Sequence, residues 1–544
     1  MQSANQIETA LKKRREVGPR GAELRTEQKR AGSRAHFNPN FQPAGPLAYL
    51  LLALVTLIAF APILGSDLLW TDYDEVERTA FSAMENWSDA WKTEHIQRYD
   101  PISTSSYFLE KQLPGPTAPA HRLINILLHL AAALFLLRLL ETFRLPGAFA
   151  ASIVFALHPA ALQTLFWPGY RGELVGLVFI LATLFYSLRA SGSKAYGIAL
   201  LLAAASMLIH PAAMALPVLI ALALFFTNHT WTLQSFNRVL PIACLALFAL
   251  VWTKAATQFV PEGEALSADT IAGQNMVFYL NRAFFPTEFS LFHPYSFGET
   301  YSVGATNSLL AFLIFIPFFV LVGFNFRKRW ARGMLFALGG FLALLLHDIT
   351  QPSRFLNGAL AKEDQAVYIA LPAASSIVIC GVAGFLGNSP GLGRMVWKLG
   401  ITLFLILQMS LTTFYAYSVS DQNRMWQALV EQWPDAWQPK AALVESTQAT
   451  EKDFLSTARL TTTLEKILQS RPDRKAERLR LARLYRDSRQ NSNALREYRY
   501  ILRENEPTDE ILEEAAMLME SLGLDWEARN ARARIDNNST LYDE

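Results

Sequence analysis

The feature that most constrains this chain is a series of long apolar runs, separated by polar loops, between residues 47 and 418. A helix needs about 20 apolar residues to cross the hydrocarbon of a bilayer, because each residue advances it by only about 1.5 Å. Runs at about 47–65, 121–140, 147–167, 173–189, 195–210, 212–227, 239–257, 306–324, 332–347, 366–386 and 398–417 read as spans. Several are too short to cross straight, which predicts tilted, broken or re-entrant helices. Pro211 after His210 marks either a kink or a boundary. The expected fold class is all-α, a polytopic membrane helical bundle of about 11 transmembrane helices.

The first run lies behind a polar tail, residues 1–46, and no small-residue cleavage site follows it, so it reads as an uncleaved signal anchor. The tail carries Lys12, Lys13, Arg14, Arg15, Arg20, Arg25, Lys29, Arg30 and Arg34 against four Glu, and is expected to be disordered and cytoplasmic. With the tail inside, the inner loops hold Arg138 and Arg144, Arg189 and Lys194, Arg238, Arg327 to Arg329 with Arg332, and Arg394 with Lys398. Every one is basic, as the positive-inside rule requires. The opposite loops at 67–120, 258–305 and 348–365 are longer and carry the acids. An odd number of spans places 419–544 outside. Compact loops without eukaryote-style targeting signals point to a bacterial inner membrane, with the C-terminus periplasmic.

Averages hide this division. Only 18% of residues are charged, against about a quarter in soluble proteins, and 51% are hydrophobic. The net charge of +2 is a cancellation between unlike segments, and gives no ground for a nucleic-acid partner. Cys244 and Cys380 both fall in apolar runs, so they offer neither a disulfide framework nor metal-ligand spacing, and read as small membrane-core residues.

From about Phe454 the pattern turns amphipathic with helical period, broken at Arg471-Pro472, Glu506-Pro507 and Gly523. Leu481, Ala482, Tyr485, Ala494, Tyr498 and Pro507 stand at the offsets of a tetratricopeptide (TPR) repeat of about 34 residues. A weaker unit follows with Ala515, Ala516, Leu522 and Ala528. The alternative is a generic helical hairpin bundle. Either would serve docking better than catalysis.

Ionisable residues near hydrocarbon are costly and mark candidate sites. Asp72, Asp74 and Glu75 crowd three carboxylates where the first span ends, which suits a general base and equally a solvated acidic segment. Arg171 at the outer end of a span fits a phosphate contact with Glu173 orienting it, or a structural ion pair. His121, Asn125 and His129 share one helical face, and on their own read best as an interhelical hydrogen-bond seam. His158-Pro159 belongs to the same cluster as Arg171 and Glu173, whereas His210-Pro211 and His293-Pro294 also fit capped or kinked helix ends.

Together these residues resemble a known family. His121, Arg122, Asn125 and His129, the block from Phe155 through His158-Pro159 to Trp167, Arg171 and Glu173, Asn281-Arg282 to Pro286, and Tyr73-Asp74-Glu75 are similar in order and spacing to motifs of the tetratricopeptide-containing O-mannosyltransferase-like proteins. The resemblance implies a GT-C class glycosyltransferase that uses a polyprenyl-phosphate-linked sugar as donor substrate, with no separate cofactor and no metal. It makes Asp74 the catalytic base, with Asp72 and Glu75 as substitutes. It makes Arg171 and Arg282 phosphate contacts, with Glu173, His121, His158 and His210 as further substrate-binding residues. The implied partners are the lipid-linked donor, membrane lipids, and an exported protein or glycan docked by the TPR-like domain. Three positions depart from the family pattern. His210-Pro211 replaces a Lys-Pro, Asp100-Pro101 replaces an Arg-Pro, and Tyr368 to Pro372 lacks the Arg of a late block. The alternative function is a non-catalytic membrane scaffold that recruits exported partners. A polysaccharide polymerase fits less well, because the long outer loop comes first in the chain. A transporter fits least, for want of paired repeats.

Overall fold

The computed structural model describes residues 43–66, 87–91, 101–111, 118–190, 192–228, 232–256, 268–284, 293–294, 320, 322–350, 355–356, 359–362, 365–386, 391–434, 439–440, 443, 454–470, 472, 475–503 and 509–539. They are almost entirely helical. The helices are α1 (Pro46–Phe60), α2 (Pro101–Lys111), α3 (Ala118–Thr142), α4 (Ala148–Ala156), α5 (Ala161–Phe166), α6 (Arg171–Arg189), α7 (Ser193–Ile209), α8 (Leu216–Asn228), α9 (Leu233–Ala256), α10 (Ala268–Phe284), α11 (Arg329–Thr350), α12 (Leu371–Leu386), α13 (Leu392–Val419) and α14 (Gln422–Gln432). Then come α15 (Phe454–Ser470), α16 (Lys475–Asp487), α17 (Asn491–Arg503), α18 (Asp509–Ser521) and α19 (Asp525–Ser539). A minimal antiparallel hairpin pairs β1 (Phe355–Leu356) with β2 (Ala359–Lys362), Phe355 opposite Leu360. Contacts divide the chain into two compact units, Met1–His293 with Glu299–Ser420, and Pro294–Gly298 with Asp421–Glu544.

In the first unit, among the described residues, seven helices are long and apolar enough to cross a membrane: Pro46–Gly65, Pro119–Thr142, Arg171–Arg189, Pro211–Asn228, Ser235–Trp252, Arg329–Ile349 and Gly393–Val419. Two shorter apolar helices, Ser193–Ile209 and Leu371–Gly384, lie among them. The run at 147–167 is not one helix. It breaks into α4 and α5 around His158-Pro159. The span expected at 306–324 falls mostly outside the described residues, as do most of the 1–46 tail and the Glu506-Pro507 break. Burial separates centre from edge: 72% of the apolar window of α6 is buried, against 17% in α13. The unit is inverted relative to a water-soluble core, with Leu247, Val251, Leu346, Leu403 and Leu407 more than half exposed while Arg122 and Arg171 are wholly buried. Apolar side chains outside and ionisable ones inside is the arrangement a lipid solvent selects.

Hydrogen bonds sort the helix ends. At one end, Glu141 near the close of α3 accepts from the backbone N–H of Ala44 (2.7 Å) and from the Tyr49 hydroxyl (2.8 Å), beside the start of α1. Arg238 of α9 donates to the carbonyl of Ala190 (2.7 Å) after α6, and Tyr196 of α7 donates to the Arg238 carbonyl (2.6 Å). Arg329 donates to the Phe143 carbonyl (2.9 Å). Cations at helix C-termini satisfy orphan carbonyls and oppose the negative end of the helix dipole. Gly147 (φ 75°) turns the chain there, and a Cβ on it would lie 2.8 Å from the Ala383 Cβ of α12. The described basic loop residues from Arg138 to Arg332 therefore share one end of the unit.

Cys380 is buried, whereas Cys244 on α9 is exposed among the described residues and not enclosed in the bundle.

The second unit is built from helical hairpins, with α16 packed on α17 and α18 on α19. Leu481, Ala482, Tyr485, Ala494 and Tyr498 are all buried, the small residues letting the helices approach and the tyrosines filling the remaining space. Gly523 takes a left-handed conformation (φ 73°) that ends α18 at little steric cost.

Candidate functional site

Buried polar side chains collect at the end of the first unit opposite the basic loops, where α3 and α6 begin and α7 ends. Arg171 opens α6. Its Nε–H donates to Asn125 Oδ1 (3.1 Å), Nη1 donates to Ser106 Oγ (3.3 Å) and pairs with Glu110 Oε1, and Nη2 donates to the His121 carbonyl (3.4 Å). The second Glu110 oxygen faces His121 Nδ1 as a close pair. One carboxylate from α2 therefore bridges groups from α3 and α6. Asn125 spends an amide N–H on the Leu165 carbonyl (3.3 Å), which orients the carboxamide so that its single oxygen faces Arg171.

Arg122, next in the chain to His121, donates to the Ser66 carbonyl and to the Phe166 carbonyl (3.4 Å). Its guanidinium lies 4.7 Å from the centre of the Phe166 ring. A delocalised cation tolerates this setting better than an ammonium would, since it stacks and forks at once.

His210 shows how the sequence builds the second pair. Pro211 disfavours helical geometry at the residue before it, and His210 is extended (φ −140°, ψ 130°), which ends α7. Its Nδ1 accepts from the backbone N–H of Ala212 (3.1 Å), so the proton resides on Nε2, which faces Glu173 Oε2 at 2.5 Å. Gly176, one turn along α6 from Glu173, makes room. A Cβ there would lie 2.9 Å from the His210 Cβ. His158 repeats the device, with Nδ1 accepting from Ala160 N–H (3.3 Å) and Nε2 donating to the Ala283 carbonyl (3.3 Å) at the end of α10. Deeper in the bundle, His129 donates from Nε2 to the Ala156 carbonyl (3.1 Å) and accepts at Nδ1 from the Tyr368 hydroxyl (2.8 Å).

The structure thus gathers His121, His158, Arg171, Glu173 and His210 at one end of the bundle, with Arg282 buried on α10 beside the partner of His158 and 5.3 Å from the Phe278 ring centre. The pairing differs from expectation in one respect: Arg171 pairs with Glu110, and Glu173 with His210. Asp72, Asp74, Glu75 and Asp100 lie outside the described residues. Glu110 was not singled out from sequence, because 67–120 reads as a loop, while α2 within it is a helix that carries Glu110 inward. Its i, i+3, i+7 spacing from Ser103 and Ser106 along one face of α2 was the available signal. Gln163, whose Oε1 accepts from the backbone N–H of Gln365 (3.0 Å), and Tyr368 as the partner of His129 were missed for the same reason, since their partners are more than 200 residues away. No protein-family model matches the sequence, and no characterised protein matches it.

Proposed function

We propose that the chain is a membrane glycosyltransferase of the GT-C type, moving a sugar from a polyprenyl-phosphate-linked donor to a hydroxyl of an exported protein or glycan. The observation that carries the reading is the cluster of Arg122, Arg171, Glu110, Glu173, His121 and His210, buried together at one end of an otherwise apolar bundle. Ion pairs in that setting are costly, and a site that must hold an anionic lipid headgroup gives a reason to keep them. In this reading the basic end faces the cytoplasm of a bacterial cell and the cluster faces the periplasm. Helices α1, α3, the broken pair α4–α5, α6, α7, α8, α9, α11, α12 and α13, with the run at 306–324, make eleven crossings. The hairpins α16–α19 act as TPR-like units on the periplasmic side and dock the acceptor.

The chemistry follows from the leaving group. As the acceptor oxygen bonds to the anomeric carbon, the bond from that carbon to the phosphate oxygen breaks, and the lipid phosphate leaves with the electron pair. Asp74 takes the hydroxyl proton, with Asp72 and Glu75 beside it, a role worth roughly 10²–10⁴-fold in rate. Asp74→Asn keeps the shape and removes the basicity. Turnover should fall by that range while expression and acceptor binding persist, and retained transfer in the triple variant Asp72→Asn, Asp74→Asn, Glu75→Gln would refute base catalysis here.

One observation favours a scaffold instead: Arg171 is wholly enclosed and already paired with a carboxylate. A scaffold predicts that the three substitutions are silent and that deletion of 454–536 abolishes function.

A further inference from the structure

We propose that Glu110 is an internal stand-in for the donor's phosphate: its carboxylate fills an oxyanion site made by Arg171 and His121, and lipid phosphate binds by displacing it. The inference rests on the donor reading above and deepens it by naming the phosphate site and what occupies it before donor arrives. Arg171 Nη1 and His121 Nδ1 converge on the two oxygens of one carboxylate. A carboxylate and a phosphate both present paired anionic oxygens that charged N–H donors such as a guanidinium bind strongly.

The surrounding bonds hold the receptor rather than the occupant. Asn125 Oδ1 accepts from Arg171 Nε and the His121 carbonyl accepts from Nη2, so the guanidinium is held from α3, and the longer bond to Ser106 Oγ (3.3 Å) comes from α2 with Glu110. Ser106 in turn donates to the Ser103 carbonyl (2.6 Å), within its own helix. Glu110 is different. It stands in the last turn of α2, a short amphipathic helix of eleven residues that is not among the spans. Removing it from the site moves one short helix end and leaves the bundle intact. An arginine so enclosed cannot reach a phosphate while Glu110 stays, so occupancy by one excludes the other.

The test measures binding of a sugar-free polyprenyl phosphate to the full chain in phosphatidylcholine nanodiscs, beside a titration with inorganic phosphate. Glu110→Gln keeps the side-chain shape and removes the competing charge. It should bind the lipid phosphate roughly ten-fold or more tighter than wild type, the worth of one charge-assisted hydrogen bond. Adding Arg171→Ala to it should erase the gain. A matching gain for inorganic phosphate marks the headgroup alone as the ligand, and a gain confined to the lipid form marks a site that reads the chain as well; both support displacement. Wild-type protein gives an independent readout should Glu110→Gln fail to fold. Amide exchange across 101–111 should rise when polyprenyl phosphate is added. Unchanged exchange, or equal affinity in wild type and Glu110→Gln, overturns the displacement and leaves the donor reading standing. Binding by neither protein removes both.

Discussion

Two arginine–glutamate pairs in this molecule use the same chemistry in opposite surroundings. Arg171 and Glu110 are 0% and 8% exposed and lie in the apolar unit. Arg499 and Glu527 are 43% and 31% exposed on the helical hairpins, joined by two hydrogen bonds of 3.0 and 2.6 Å. The surface pair has the better-defined fork, yet water screens it and either partner can be solvated alone. The buried pair has no such fallback, so each partner is held by the other. Distance says little about what a pair contributes, and burial says most of it.

The largest effect should come from breaking the buried pair on one side. Arg171→Ala leaves Glu110 enclosed without its cation, a change that costs about 3–5 kcal/mol in comparable buried pairs. Thermal unfolding of the full chain in detergent should show a large drop. Arg171→Met with Glu110→Met together should recover much of the loss, because an apolar pair needs no compensation. A double variant as unstable as the single one would break the comparison, since the cost would then lie in packing.

An intermediate case is Glu514, at 14% side-chain exposure. Burial pushes its carboxyl up, but hydrogen bonds from Arg483 and Tyr498, with the charges of Arg483 and Arg486, hold it below the usual carboxylate range. Tyr498 donates to it at 2.7 Å, and burial with that same carboxylate raises the phenol. A depressed folded-state pKa means that the stabilisation is complete above the ordinary carboxylate value and is lost as pH falls through the folded one. Amide exchange across 475–521 in the full chain should therefore accelerate on acidification more in wild type than in Glu514→Gln. Tyr498→Phe should cost about 0.5–1.5 kcal/mol. Equal acid responses in wild type and Glu514→Gln would place the acid sensitivity elsewhere.

What the sequence made legible follows the same division. Helices were readable wherever one solvent dictated the pattern: apolar runs for α1, α3, α6 and α13, and 3.6-residue periodicity with a closing glycine for α16 to α19. The break at His210-Pro211 was readable because proline acts on its immediate neighbour. Partnerships across the chain were not. Arg171 and Glu173 lie two residues apart and invite pairing, but i and i+2 on a helix point to nearly opposite sides, and α2 brings a carboxylate from 61 residues upstream instead. The split of 147–167 into α4 and α5 was hidden because an apolar run reads the same whether its helix is whole or broken.

The smallest effect should come from the surface pair, and its smallness is the sharpest check on the contrast. Arg499→Ala removes both hydrogen bonds to Glu527, yet exposed pairs of this kind contribute about 0.2–1 kcal/mol, because Coulomb attraction is weak in water and ordering two long side chains opposes it. What remains should be screened further as ionic strength rises, the Debye length falling from about 10 Å at 0.1 M to about 3 Å at 1 M. Melting curves of wild type and Arg499→Ala in the full chain should lie close together at low salt and converge at high salt. The Arg171→Ala deficit should persist across the same range, since mobile ions do not enter a buried site. If the Arg499→Ala deficit matched that of Arg171→Ala, or failed to shrink with salt, burial would not be what separates the two pairs, and the hairpin contact would have to work through packing of the arginine stem against α19.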